Sequence, residues 1–191
     1  MSASTWPPEG QPPAAPTGPV DAAVLVPLFE RGGAVRAVLT RRRDDLRRHA
    51  GEMSFPGGRR DADDESFEHT ALREAHEEIG LERRAARVFG ELPSVSTFVT
   101  GYVIHPVLAA IEPPRVWRPQ PREVAAVLEL ELDAIRAGAG FVELERRGIS
   151  FSTACYRVDG HVIWGATARI LDHLFARIDD GHGVRDELVA P

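Results

Sequence analysis

The sequence predicts an α+β fold, a mixed β-sheet packed between helices. Three observations carry that expectation. Short β-rich apolar runs recur along most of the chain, two segments have helical periodicity, and the composition suits a single core. At 191 residues with 43% hydrophobic content, the chain is long enough for one substantial domain. Residues 21–180 are its expected extent.

The elements follow in order. Residues 1–20 hold six prolines with Gly, Ala and Ser, and read as a disordered leader. Runs 24–29 and 34–39 flank Arg31-Gly32-Gly33, which predicts a hairpin. Between Gly58 and Gly80 the spacing of Ala71, Leu72, Ala75 and Ile79 predicts a helix with one apolar stripe. Runs 88–92, 101–111 and 124–130 predict further strands, with a proline-marked loop between the last two. Runs 141–144 and 150–156 read more weakly as strands. Ile170, Leu171, Leu174, Phe175 and Ile178 predict a closing helix, and residues 181–191 a flexible tail.

Several function classes are disfavoured by composition. A formal charge of −6 gives no electrostatic case for nonspecific nucleic-acid binding. The single cysteine, Cys155, excludes an internal disulfide framework and suits a strand residue in a reducing compartment better than a nucleophile. No apolar run approaches the ~20 residues of a membrane span, and the N-terminus lacks the apolar core of a signal peptide. A cytoplasmic protein without membrane attachment, monomeric or homodimeric, is expected.

The first helix carries the chemistry. Glu74, Glu77 and Glu78 fall within an arc of about 100° on it. Like charges at these spacings cost a few tenths of a kcal/mol per pair. Carboxylates near a helix C-terminus also oppose the macrodipole, by roughly 0.3–1 kcal/mol each. A glutamate-rich helix face is ordinarily just a solvated one, but breaking two local rules together invites a functional reading. A divalent cation removes the conflict, because clustered carboxylates are hard oxygen ligands suited to Mg²⁺ or Mn²⁺.

The run Arg73-Glu74-Ala75-His76-Glu77-Glu78-Ile79-Gly80-Leu81, with Gly58 ahead of it, resembles the signature of the Nudix hydrolases. One residue departs from the usual spacing. Asp64 keeps the customary distance from Gly58, whereas Glu65 keeps the customary distance from Arg73. Glu65 is favoured as the support for Arg73, on the argument that helix geometry fixes its position while the loop absorbs the insertion. The resemblance implies a Nudix fold, an α/β/α sandwich with a mixed central sheet. It also implies that Glu74 and Glu78 hold the metal, with Glu77 and the Gly58 carbonyl completing the shell, and that Arg73 orients the carboxylates. The general base varies within the family. Glu123, just before a predicted strand, is the favoured candidate and Glu77 the second.

Upstream, residues 39–58 are similar to an extension typical of coenzyme A pyrophosphatases, as is the segment Ile163-Trp164-Gly165-Ala166-Thr167-Ala168. The resemblance implies hydrolysis of coenzyme A or its thioesters to 3′,5′-ADP and a 4′-phosphopantetheine product. Alternatives are ADP-ribose, NADH or another nucleoside diphosphate derivative as substrate, or a catalytically idle module that binds a ligand or RNA. Arg41, Arg42, Arg43, Arg47 and Arg48 put five guanidiniums in eight residues. Such groups match phosphate oxygens in bidentate geometry, although a solvated basic face is the plainer reading. Arg42, Arg47 and His49 are the candidate substrate contacts, although for His49 capping a turn is the slightly favoured role.

Overall fold

The computed structural model describes residues 19–45, 51–97, 101–146, 149–181 and 183–189. The expected leader lies outside the described residues up to position 18. Strands β1 (Val20–Arg31) and β2 (Ala34–Arg42) form the expected hairpin, with Gly32 and Gly33 at positive φ in its turn. Two very short strands follow, β3 (Met53–Ser54) and β4 (Gly57–Arg59). Helix α1 (Phe67–Ile79) comes next, then a 3₁₀ turn and β5 (Ala86–Glu91), β6 (Val95–Ser96), β7 (Tyr102–Ile111) and β8 (Val124–Glu131). The chain continues through α2 (Leu132–Ala137), β9 (Ala139–Arg146), β10 (Ile149–Val158), β11 (His161–Trp164), α3 (Gly165–Asp179) and α4 (Val184–Val189).

The main sheet runs β3-β2-β1-β7-β5, with β4 added to β1, β6 to β7 and β8 to β2. It is mixed, because β1 and β7 pair in parallel while their other neighbours are antiparallel. Period-two alternation sends β1 side chains to two cores. Ala23, Leu25 and Phe29 join Ala71, Leu72, Ala75 and Ile79 of α1 on one face. Val26 and Leu28 join Leu171, Leu174 and Phe175 of α3 on the other, where α2 and the second sheet β9-β10-β11 also pack. The sheet is therefore covered on both sides, as expected for an α+β sandwich.

Two differences from expectation are local. The six-residue α2 buries only Leu132 and Ile135, too few positions to show a helical period. The tail expected to be flexible from residue 181 instead forms α4, anchored by Val184, which is 4% exposed in the α3-side core, and by an Arg87–Glu187 ion pair. Among the described residues no helix is long and apolar enough to cross a membrane.

Candidate active site

Helix α1 is fixed at both ends. Ser66 caps its N-terminus, the side chain accepting from the His69 amide at 3.1 Å. Gly80 closes the other end at φ 71°, with its amide donating to the His76 carbonyl and the Leu81 amide to Ala75. With the apolar stripe buried against β1, the glutamates are turned toward β4.

Strand β4 can lie there only because its first two residues are glycines. A Cβ on Gly57 would fall 2.4 Å from the Ala23 carbonyl oxygen of β1. A Cβ on Gly58 would fall 2.5–2.6 Å from the Glu74 carboxylate. Close approach leaves backbone groups facing the acidic surface, and the Gly57 amide donates to Glu78 Oε2 at 3.2 Å.

Arg73 is the centre of the acidic cluster. Its Nε and Nη2 donate to both Asp64 carboxylate oxygens at 3.1 and 2.9 Å. Nη1 reaches Glu74 at 2.9 Å and Glu77 at 3.5 Å, and Nη2 also donates to the Arg59 carbonyl at 3.2 Å. Asp64 is 5% exposed and takes two more donors at 2.9 Å, the Asp61 amide and the Thr70 hydroxyl. The Arg73 guanidinium, assisted by those two groups, holds the Asp64 carboxyl well below the usual carboxylate range.

The assignment of Glu65 as the support for Arg73 is therefore corrected to Asp64. Ser66 is the cap and the helix begins at Phe67, so Glu65 lies before the helix and no helical geometry fixes it. Its side chain is exposed, and its backbone amide donates to His69 Nδ1 at 3.3 Å. Asp64 retains the usual separation from Gly58, and the extra residue sits between this anchor and the helix cap.

The carboxylates differ in environment. Glu78 is 7% exposed, and burial pushes its carboxyl up to about 7 against the opposing pull of the Gly57 amide and Arg42. Glu74 and Glu123 add to the upward push. Glu74 is half-buried and also raised, chiefly by burial, with Arg73 opposing. Glu77 is exposed. Among the described residues no three carboxylate or imidazole side chains converge in coordinating geometry, since Arg73 draws Glu74 and Glu77 while the Gly57 amide holds Glu78. The donor set nonetheless fits a divalent cation. It offers hard oxygens, and its most buried carboxylate, Glu78, has no cationic hydrogen-bond partner among the described residues.

Glu123 reaches this surface by way of the proline loop, which docks on the end of α1. The Arg118 amide donates to the Ile79 carbonyl at 3.2 Å and the Gln120 amide to Glu78 at 2.8 Å. Glu123 itself is exposed, within electrostatic reach of Glu78, and its carbonyl accepts from the Arg43 amide at 3.0 Å.

A cavity of ≈ 610 Å³ opens beside the glycine strand. Gly57, Gly58 and Arg59 line one part, Met53 and Phe55 another, and Trp164 and Arg169 a third. The Thr167 hydroxyl donates to the Met53 carbonyl at 3.0 Å, tying α3 to β3. Arg42 faces the cavity at the end of β2, with a buried Nε that has no hydrogen-bond partner among the described residues. The rest of the arginine cluster divides. Arg41 pairs with Asp44, and Arg43 pairs with Asp45 and donates to the Pro121 carbonyl, so both serve the loop. Arg47, Arg48 and His49 lie outside the described residues. Sequence reasoning did not single out Arg59, Tyr102 or Arg169; only Trp164 carried a signal, through its place in the 163–168 segment.

The model of the NUDIX domain family matches residues 19–143, most of the described chain. The chain belongs to the Nudix family. Nudix hydrolases named NudL from Salmonella paratyphi B and Salmonella newport are each 40% identical over 159 residues, covering 82% of this chain and 82% of their own. The fold agrees. RenU, a Nudix hydrolase of M. smegmatis, aligns with a TM-score of 0.61 at 22% identity, over 85% of this chain and 88% of its own. The Nudix domain of Shewanella oneidensis NrtR, solved with ADP-ribose, aligns at 0.55 and 15% identity, over 88% and 94%. The protein is thus a Nudix pyrophosphohydrolase, an enzyme of a family that generally works with divalent metal ions.

Proposed function

We propose that this Nudix enzyme hydrolyses the diphosphate of coenzyme A or its thioesters to 3′,5′-ADP and a 4′-phosphopantetheine product. One observation carries the reading. The two segments that resemble coenzyme A pyrophosphatases, 39–58 and 163–168, lie more than 100 residues apart in sequence yet line the same cavity. That cavity borders the glutamate face, and its volume falls within the ≈ 300–1,000 Å³ usual for small-molecule sites.

Glu74, Glu77 and Glu78, with the Gly58 carbonyl, would hold Mg²⁺ or Mn²⁺. When bound, the metal neutralises phosphoryl charge and acidifies a bound water. The chain's own residues do the rest. Arg73 positions Glu74 and Glu77 and is itself locked by Asp64, so it orients carboxylates rather than touching substrate. Arg42, on the cavity wall at the end of β2, offers its guanidinium to the diphosphate. Glu123, exposed beside Glu78, takes the proton of the attacking water, with Glu77 as the second candidate. Water adds to phosphorus, the bridging P–O bond breaks, and each product keeps one phosphate of the diphosphate, the 3′-phosphate staying on the ADP product.

A substrate panel of coenzyme A, dephospho-coenzyme A, ADP-ribose and NADH, run with Mg²⁺, Mn²⁺ or EDTA and read by mass spectrometry, tests the proposal. Coenzyme A should give 3′,5′-ADP only with metal. A clear preference for ADP-ribose or NADH overturns the substrate, and undiminished turnover in EDTA overturns the metal.

A further inference from the structure

We propose that Arg59 and Arg169 form a second phosphate subsite at the cavity, separate from the glutamate face, that reads the ribose 3′-phosphate of the substrate. The inference rests on the coenzyme A reading and deepens it. Coenzyme A carries two phosphate groups of different kinds, a diphosphate and a 3′-monoester. The diphosphate has to reach the glutamates, so the monoester needs cations elsewhere. Among the described residues lining the cavity the cationic side chains are Arg42, Arg59 and Arg169. Arg42 is committed to the first site, being half-buried and in electrostatic reach of Glu78.

The other two are exposed and lie on different walls, Arg59 on β4 and Arg169 on α3. The Arg59 side chain makes no hydrogen bond or ion pair among the described residues, while its backbone is pinned by Arg73 through its carbonyl. A fixed root with a free guanidinium lowers the cost of ordering the side chain on a ligand. Arg169 spends Nη1 on the Ser96 carbonyl at 2.9 Å, which orients the planar group and leaves its remaining N–H donors available. A phosphate monoester is about doubly charged near neutral pH and offers three acceptor oxygens, enough to engage two guanidiniums at once.

Two comparisons test this on the whole protein. One is kcat/KM for coenzyme A against dephospho-coenzyme A. The other is calorimetric binding of 3′,5′-ADP against 5′-AMP, which needs no turnover. The wild type is expected to favour the 3′-phosphorylated member in both. In R59A/R169A that preference should fall by about ten-fold or more. In R59K/R169K it should recover in part, because charge is kept while the fork is lost. Arg185→Ala, which removes an exposed arginine from α4, should leave the preference as in wild type. A wild type that shows no preference, or a double alanine variant that keeps it, overturns the subsite. If ADP-ribose proves the better substrate, the coenzyme A reading fails, and the 3′,5′-ADP against 5′-AMP comparison still decides the subsite.

Discussion

At Glu78 the requirements of stability and of catalysis oppose each other. Its carboxyl rises from the ordinary 4.5 to about 7, so folding favours the protonated form. A raised folded value means the contribution is fully present below pH 4.5 and is lost as pH rises through 7. The difference corresponds to about 3 kcal/mol. The metal-free enzyme should therefore lose thermal stability between pH 4.5 and 7.5, and added Mg²⁺ or Mn²⁺ should restore it above pH 7. Glu78→Gln should flatten that profile and raise Tm without metal at pH 8, while losing orders of magnitude in turnover. Calorimetric melting across pH, with and without EDTA, checks this, and a Tm independent of pH in the wild type would sink it. Asp64 shows the opposite sign. Its depressed carboxyl contributes stability above the ordinary carboxylate value, lost only in strong acid. Asp64→Asn removes one partner of a buried pair and should cost about 3–5 kcal/mol, whereas Glu65→Gln should stay within about 0.5 kcal/mol. Equal denaturation midpoints for these two variants would contradict the assignment of the anchor. The three glutamates were legible because helical periodicity alone puts them on one arc. The anchor was not, because which of two adjacent acids turns inward depends on where the helix is capped.

Among the elements, α1 and β4 work as one unit, helix carboxylates against glycine backbone. Gly58→Ala would place a methyl group 2.5 Å from the Glu74 carboxylate. The displacement should reduce metal-dependent kcat at least ten-fold, with Tm changed much less, because Gly58 sits outside both apolar cores. Loss of folding without a selective loss of activity would show that Gly58 is structural instead. Long elements with clean periods were readable in sequence, namely the β1–β2 hairpin, α1, β7, β8 and α3. The two- and three-residue strands around Pro56 were not, since so short a run shows no alternation. Neither was the docking of the proline loop, which depends on backbone bonds to Ile79 and Glu78 that any side chains could accompany.

For the whole molecule, the parallel pairing of β1 with β7 joins residues some 80 positions apart, a relation no local pattern encodes. It aligns the edge of the cavity, because Ala22, Val24, Tyr102 and Ile104 come from these two strands. Helix α4 packs on the α3-side core through Val184, and none of its residues lines the cavity. A chain ending at residue 183 loses the buried Val184 and the Arg87–Glu187 pair. That loss should cost about 1.5–3 kcal/mol, with kcat on the best substrate unchanged. A truncated protein that keeps its full Tm would show that α4 contributes nothing to the fold.

The wall formed by Trp164 and Arg169 lies beyond residue 143, where the match to the family ends. The glutamate helix, its arginine lock and the glycine strand all lie before it. The cavity is therefore walled from both stretches, Arg42 and Arg59 before that border and Trp164 and Arg169 after it, and side-chain bonds such as Thr167 to the Met53 carbonyl and Arg169 to the Ser96 carbonyl tie the two together. Exchanging the last third of such a chain would rebuild one wall of the cavity and leave the glutamate helix and its glycine strand in place.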